Sequence, residues 1–416
     1  MSGDISRNEN VINVSGPLDD FHRFLSQIHT AVELRSYSDI VLDLKQCTSA
    51  FQNSMLSLCA QILAYRKAGV DFALIPPDKR ELHNLFINTG WAHYLDPRKY
   101  DPSTFRGHSR IPATQYQTPE EQQVAVNRIV NVILGAIPDM QRSDFAAFEW
   151  SVNEITDNVL VHSTSPIGGL VQVSTFQKYK KQVQFVVADA GIGIPKTLRE
   201  SHPELSSDTE ALDKAIREGV TRDKKIGQGN GLFGSYEICS KCNGYFAVHS
   251  GYARLEYDNK RGLSISNERI PYSGALVVAT IDFTEPKLLE NALRFKGQKY
   301  MPVDFIETEY EKSDDGHIHF ILKKESTSFG SRVAGKPVRT KLSNLLRMGG
   351  DEKILLDLED VPIMSSSFAD EAFGKLFLEA GAVNFMQKFE FVNVMSTVQQ
   401  LINKAIAQRM SAGVVD

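Results

Sequence analysis

The sequence lacks a basic excess. Over 416 residues, 46 Lys and Arg stand against 51 Asp and Glu, a formal charge of −5. Proteins that bind nucleic acid usually carry such an excess or a basic stripe, so no nucleic-acid partner is expected. Also missing is any run of about 18 or more apolar residues, the length of a membrane span, so no membrane partner is expected either. The opening MSGDISRNEN has neither the charged nor the apolar region of a signal peptide, and the chain reads as cytoplasmic. Cysteine is scarce, with four residues, Cys47, Cys59, Cys239 and Cys242. That excludes a disulfide scaffold, a device of small secreted domains, and points to reduced thiols. Apolar residues, by contrast, make up 42 % of the chain, which rules out general disorder. At roughly 150 residues per domain the length calls for two or three cores.

Patterning divides the chain. DIVLDL at 39–44 reads as a strand, Met55, Leu58, Cys59, Ile62 and Leu63 as a helix stripe, and 71–75 as a second strand stopped by Pro76-Pro77. A helix from Lys79 to Gly90 completes a β-α-β-α unit whose crossover implies parallel strands. Residues 96–117, rich in Pro, Arg, Ser and Thr, read as a linker. Thr118-Pro119-Glu120-Glu121 opens a helix to about Ile137. A second helix follows at 144–162, then strands at 169–175 and 182–188, glycine-rich segments and a late strand at 275–283. Helices cluster and strands cluster, so the middle is α+β rather than doubly wound. VDFIETEY and HIHFILKK read as two strands around the turn Ser313-Asp314-Asp315-Gly316. KILLDL at 353–358 then repeats the opening pattern, Asp357 under Asp43, with a helix from Ala369 and a strand at 389–394. We read this as a diverged internal duplication flanking the centre.

Chemistry concentrates in the middle. Phe145, Phe148, Val152, Ile155 and Val159 form one apolar stripe of the helix DFAAFEWSVNEITDNVLVHS. Glu154, Asn158 and His162 follow one another a turn apart, about a quarter turn off that stripe at roughly 100° per residue. They therefore border the buried face. A carboxamide oxygen there can ligate Mg²⁺, and a carboxylate one turn away can take a proton from an attacking water. The same spacing also suits a plain polar helix edge. QFVVADAGIGIP is a buried strand ending in Asp189, followed by Gly191 and Gly193, which permit positive φ and close backbone approach. Asp189 at that strand end could accept a hydrogen bond from an exocyclic amine. Further on, IGQGNGLFG, with Gly227, Gly229, Gly231 and Leu232, leads into an apolar helix and offers free N–H groups where phosphate binds.

In this order the three boxes resemble the GHKL ATP-binding domain shared by gyrase B subunits, heat-shock chaperones, histidine kinases and MutL, over roughly residues 120–290. The resemblance implies Mg²⁺ on Asn158, adenine read by Asp189, a base pocket shaped by Gly191 and Gly193, and phosphate contacts from Gly227, Gly229, Gly231 and Leu232. Glu154 corresponds to the general base of the ATP-hydrolysing members and of the anti-sigma serine kinases. The family's lid falls at 196–230, with Arg222, Lys224 and Lys225. Two departures stand out. Gly274-Ala275 occupies the place of the usual Gly-Thr, so one base contact is expected to be missing or taken by water. In addition, the helix at 119–137 carries no His, which disfavours a sensor histidine kinase.

The flanks bear a second resemblance. Residues 39–90 are similar to a STAS domain, with Gln52-Asn53-Ser54 where that family has Asp-Ser-Ser and phosphorylates the last serine. Residues 326–416, with Ser365-Ser366-Ser367 before a helix, resemble the STAS-like domain that ends some bacterial ATPases. Those serines also fit an ordinary helix cap. The expected architecture is α+β: a central Bergerat-type α/β sandwich, its mixed sheet covered by helices on one face, flanked by two smaller STAS-like units. Its domains are 1–105, 118–290 and 296–416, the last a strand pair plus the C-terminal STAS-like domain. The implied function is Mg²⁺-dependent ATP hydrolysis that switches the STAS-like domains and a protein partner. Alternatives are a serine/threonine kinase acting on a STAS domain and an ATP-binding scaffold with little turnover. Lid-gated relatives often dimerise, so a homodimer is one expected state. Two motifs are set aside: GSRVAGK at 330–336 has Pro337 where a P-loop needs a hydroxyl, and Cys239-Ser-Lys-Cys242 has only His249 near it, too few ligands for zinc.

Overall fold

A computed structural model describes residues 3–104, 110–176, 181–217, 231–284, 294–295, 298–299, 305–311 and 316–412. The chain forms two compact units, one of residues 1–129 and 150–300, the other of 130–149 and 301–416. The expected domains 1–105 and 118–290 thus fall largely into one unit.

In the first unit, β1 (Asp4–Asn8) and β2 (Val11–Leu18) form an antiparallel hairpin, and β3 (Asp39–Asp43) and β5 (Asp71–Ile75) continue the sheet in parallel in the order β1-β2-β3-β5. The short β4 (Cys47–Ala50) pairs separately with β2. Alternation buries Ile40, Leu42, Phe72 and Leu74. Helix α1 (Phe21–His29) is capped by the Asp20 carboxylate, which accepts from Arg23 N at 2.9 Å. Helix α2 (Gln52–Lys67) has no exposed face over Ser54–Ile62, all of it buried, because it lies between two sheets. The short α3 (Arg80–Asn88) and α4 (Trp91–Leu95) close this layer.

The second sheet has the order β6-β7-β8-β10-β9, from β6 (Arg110–Tyr116), β7 (Gly169–Phe176), β8 (Gln182–Asp189), β9 (Tyr245–Asp258) and β10 (Gly262–Asp282). Every pairing in it is antiparallel, so the sheet is not the mixed one expected. Residues 110–116, read as linker, are its edge strand. Pro112 sits at a register shift on that edge, where a missing N–H is tolerated. Two-residue strands β11 (Arg294–Phe295) and β12 (Gln298–Lys299) pair with each other. Leu170, Val186, Ala188, Ala247, Leu276 and Val278 share one core with the first sheet and α2. Gln172 on that face accepts from Trp91 Nε1 at 2.9 Å, and its carbonyl accepts from Gln52 Nε2 at 2.6 Å. By alternation Val171, Val173, Phe185, Val187, Phe246 and Val248 point to the other face and are also buried. The sheet is covered on both sides. Helices α5 (Pro119–Ala136) and α6 (Arg142–Asn158) contribute to both units, whereas α7 (Ile194–Arg199), α8 (Asp208–Ala215) and α9 (Gly231–Lys241) belong to the first.

In the second unit α10 (Phe305–Glu309) replaces the strand expected in VDFIETEY. Phe305, Ile306 and Tyr310 are buried, a helical rather than alternating spacing. Strands β13 (His317–Ile321), β14 (Lys353–Asp357) and β15 (Phe389–Val392) form a parallel sheet in that order. Around it lie α11 (Leu322–Glu325), α12 (Arg332–Met348), α13 (Ser366–Ala369), α14 (Lys375–Ala380), α15 (Ala382–Lys388) and α16 (Ser396–Ala412). The topology repeats the first sheet. β2-β3-β5 and β13-β14-β15 are both parallel triplets in chain order with helices between the strands. β3 and β14 also end alike: Asp43 Oδ1 accepts Lys45 N at 3.0 Å, and Asp357 Oδ1 accepts Glu359 N at 2.9 Å.

Candidate functional site

Helix α6 buries Val152 and Ile155, leaves Glu154 and Asn158 half-buried, and passes into a π turn over Val159–Ser163. Glu154 and Asn158 thus lie at the border of the buried face. Burial, with the Asp157 carboxylate second, pushes the Glu154 carboxyl above its ordinary value. Helix α9 packs against α6 through small residues: Ser151 Oγ donates to Ser235 Oγ at 2.8 Å. Gly231, the first residue of α9, lies against Glu154 and Asn158. A Cβ on it would stand 2.6 Å from Glu154 Oε2 and 3.3 Å from Asn158 Nδ2. The contacts 151–235 and 154/158–231 make the two helices antiparallel, so the N-terminal end of α9, where the first N–H groups have no partner within the helix, faces the acid and the amide. Leu232 is half-buried beside it. Gly227, Gly229, Arg222, Lys224 and Lys225 lie outside the described residues.

The second box reaches the end of the same helix. Ser163 O, closing the π turn, accepts Ile192 N at 2.8 Å. Gly191 passes so close to that carbonyl that a Cβ would collide with it. Asp189 is buried, accepting Gly191 N at 2.7 Å on Oδ1 and Ala275 N at 3.1 Å on Oδ2. Burial nevertheless outweighs those two bonds and pushes its carboxyl up to about 7. Gly274 (φ +84°) packs on Asp189; a Cβ there would stand 2.5 Å from the Asp189 carbonyl oxygen, so no side chain fits. Ala275, the departure from Gly-Thr, therefore touches the proposed base-reading carboxylate through its own backbone N–H. Sequence reasoning missed two groups in this ring. One is the Ser163 carbonyl, and a backbone acceptor leaves no residue signature. The other is Ser250, whose hydroxyl donates to Gly274 O at 2.6 Å and accepts Ile194 N at 2.9 Å. Gly193 (φ +81°) stands against that hydroxyl.

The described part of the expected lid, 196–217, is packed. Arg199 pairs with Asp208 at 2.6 Å, and Asp208 accepts Tyr252 N at 2.7 Å. Ser207 and Glu210 form a capping box at the start of α8.

Elsewhere, His22 Nε2 and His249 Nδ1 are 3.0 Å apart, and Glu268 brings a carboxylate oxygen within 4.8 Å of both rings' nitrogens. Burial lowers the pKa of His22 and carries that of His249 well below the ordinary imidazole value. Cys239 and Cys242 are buried free thiols with raised pKa values, as expected of core packing. Ser54 is fully buried and donates to Asp19 O at 3.1 Å. Ser365 caps α13, accepting Phe368 N at 3.1 Å.

The parallel sheet of the second unit carries a family match. Residues 334–399, from α12 to α16, match a STAS-like domain of unknown function (DUF4325). No curated protein matches the chain. Within the STAS-like domain, Lys341 is buried, donates to Asn131 Oδ1 at 2.7 Å and pairs with Glu325. Asn344 donates to the carbonyls of Leu134 and Ile137, both at 2.8 Å.

Among the described residues no helix is long and apolar enough to cross a membrane.

Proposed function

We propose that the chain is a Mg²⁺-dependent ATPase of the GHKL type, whose nucleotide cycle controls STAS-like units and a protein partner. One observation carries the reading: boxes widely separated in sequence meet along the C-terminal half of α6 and the π turn that follows it, Gly231 against Glu154 and Asn158, and the Asp189 loop against Ser163. The residues suit such a ligand. Gly231, without a side chain, lets the N-terminus of α9 come up against Glu154 and Asn158, and a helix N-terminus is where phosphate binds. Asn158 offers an amide oxygen to Mg²⁺, which would neutralise charge on the phosphates. Asp189, anionic above pH 7, accepts from an exocyclic amine. Glu154, its affinity for a proton raised by burial, takes one from the water that attacks the γ-phosphorus; the bond to the bridging oxygen breaks, leaving ADP and phosphate. The first sheet, which repeats the topology of the STAS-like domain, would be a second unit of that kind.

Isothermal titration with Mg-ATP and phosphate release on the full chain test this. Glu154→Gln should keep nucleotide binding within a few fold and lower turnover by about 10²–10⁴, while Asn158→Ala should abolish Mg-ATP uptake. Absence of uptake by the wild-type chain overturns the proposal. Transfer of labelled γ-phosphate to protein, without free phosphate, makes it a kinase instead. Self-phosphorylation at Ser54 would require opening the packing that encloses it.

A further inference from the structure

We propose that His22, His249 and Glu268 form a divalent transition-metal site, of the Zn²⁺ class, that clamps the first sheet to the second. The three come from separate elements: His22 from the first turn of α1, His249 from the face of β9 turned toward the first sheet, and Glu268 from β10. Their placement has a structural cause. Between the pairs Asn267↔Ala253 and Tyr272↔Gly251, four residues of β10 face only Tyr252. Such a bulge re-aims side chains that regular alternation would fix. It brings Glu268 to two rings already in contact, His22 Nε2 and His249 Nδ1 being 3.0 Å apart and all three donor atoms lying within 4.8 Å of one another.

Two imidazoles and one carboxylate are the donor set of open zinc sites, and tetrahedral bonds of roughly 2.0–2.1 Å put ligand nitrogens about 3.4 Å apart. The rings need open by only a few tenths of an ångström. Charge favours a dication. Arg254 is a nearby cation, and it is shared by Glu256 and Glu268 at 3.5 and 3.3 Å. Asp20 adds a further carboxylate beside His22. The Arg254 contact would hold Glu268 as outer partners hold metal ligands generally. The site is not the nucleotide pocket. His249 does precede Ser250, which holds Gly274 and Ile194, so the clamp would also steady the loop next to Asp189.

The test uses the full chain, stripped with a chelator and free of nucleotide. Calorimetry with Zn²⁺ should give one equivalent per chain, Co²⁺ should give the intense visible bands of a four-coordinate site, and the Tm should rise with metal. Loss of even an outer-shell partner commonly costs about 10–100-fold in affinity, so His22→Gln and Glu268→Gln should each weaken uptake by at least about 100-fold. His29→Gln, an exposed histidine on the same helix, should change nothing. Circular dichroism checks that each variant is folded. No stoichiometric uptake by the wild type, or unchanged affinity in folded Glu268→Gln, overturns the proposal. So do Co²⁺ spectra lacking the four-coordinate bands.

Discussion

At the residue scale Asp189 is the most telling group. Its folded pKa of about 7 lies above the ordinary 3.8, so the fold prefers the protonated acid. That contribution to stability is complete below pH ~4 and is lost as pH rises through about 7. A nucleobase amine needs the opposite form, the carboxylate. Uptake limited by the anionic fraction should therefore be about tenfold weaker at pH 6 than at pH 8, and calorimetry across that range should show the slope. Asp189→Asn should erase it. The variant should also lose about 1–3 kcal/mol of stability in denaturant melts, because one of the two N–H donors from Gly191 and Ala275 would then face an NH₂ group. The identity of Asp189 was legible in the sequence as the polar end of a buried strand. Its pKa was not, since that depends on burial contributed by residues distant in the chain. The border position of Glu154 and Asn158 was legible for a simpler reason: it follows from helical geometry alone.

At the scale of elements, the α6–α9 pair makes a separate demand. Gly231→Ala replaces a poor helix former with a good one, worth up to about 1 kcal/mol in a helix interior and less at a first residue. The new Cβ would press on the Glu154 carboxylate, the flexible end of its side chain. Melting should hardly change, whereas phosphate release should fall by tenfold or more. Gly274→Ala differs, because its neighbour is Asp189 backbone and its φ is +84°. It should destabilise by about 1–3 kcal/mol, seen as a drop in Tm. Helix α2 forbids change for another reason. Ser54→Asp would bury a charge where the hydroxyl now donates to Asp19 O, and it should cost about 3 kcal/mol or more rather than act as a phosphomimetic switch. Sequence failed at elements where two patterns compete. Phe305, Ile306 and Tyr310 sit in a stretch that also suits a strand, and the Pro-containing 110–116 reads as a loop until the bulge that accommodates Pro112 is seen.

At the scale of the molecule, the repeat of one topology in β2-β3-β5 and β13-β14-β15 was signalled by DIVLDL and KILLDL, with aspartates making the same turn at both strand ends. What no local pattern announced was that α2 serves two sheets. It buries the face of the second sheet that carries Leu170, Val186, Ala188, Ala247, Tyr272, Leu276 and Val278. At roughly 1.5 kcal/mol for each of the five larger side chains and about 0.8 for each alanine, that face is worth about 9 kcal/mol, comparable with the whole stability of a typical domain, about 5–15 kcal/mol. Residues 110–300 expressed without 1–104 should therefore aggregate or bind a hydrophobic dye, and should not unfold cooperatively. A soluble fragment with a sharp melt would show that the two sheets are independent. Gln61 tests the same dependence without truncation. Its amide donates to Ser273 O at 2.7 Å and to Asp189 O at 3.4 Å, so it holds from behind the two backbone segments that carry Asp189 and Gly274. Gln61→Leu should leave both sheets folded by circular dichroism and weaken Mg-ATP binding several-fold, whereas equal affinity in variant and wild type would mean that the first sheet supports the pocket only by its bulk.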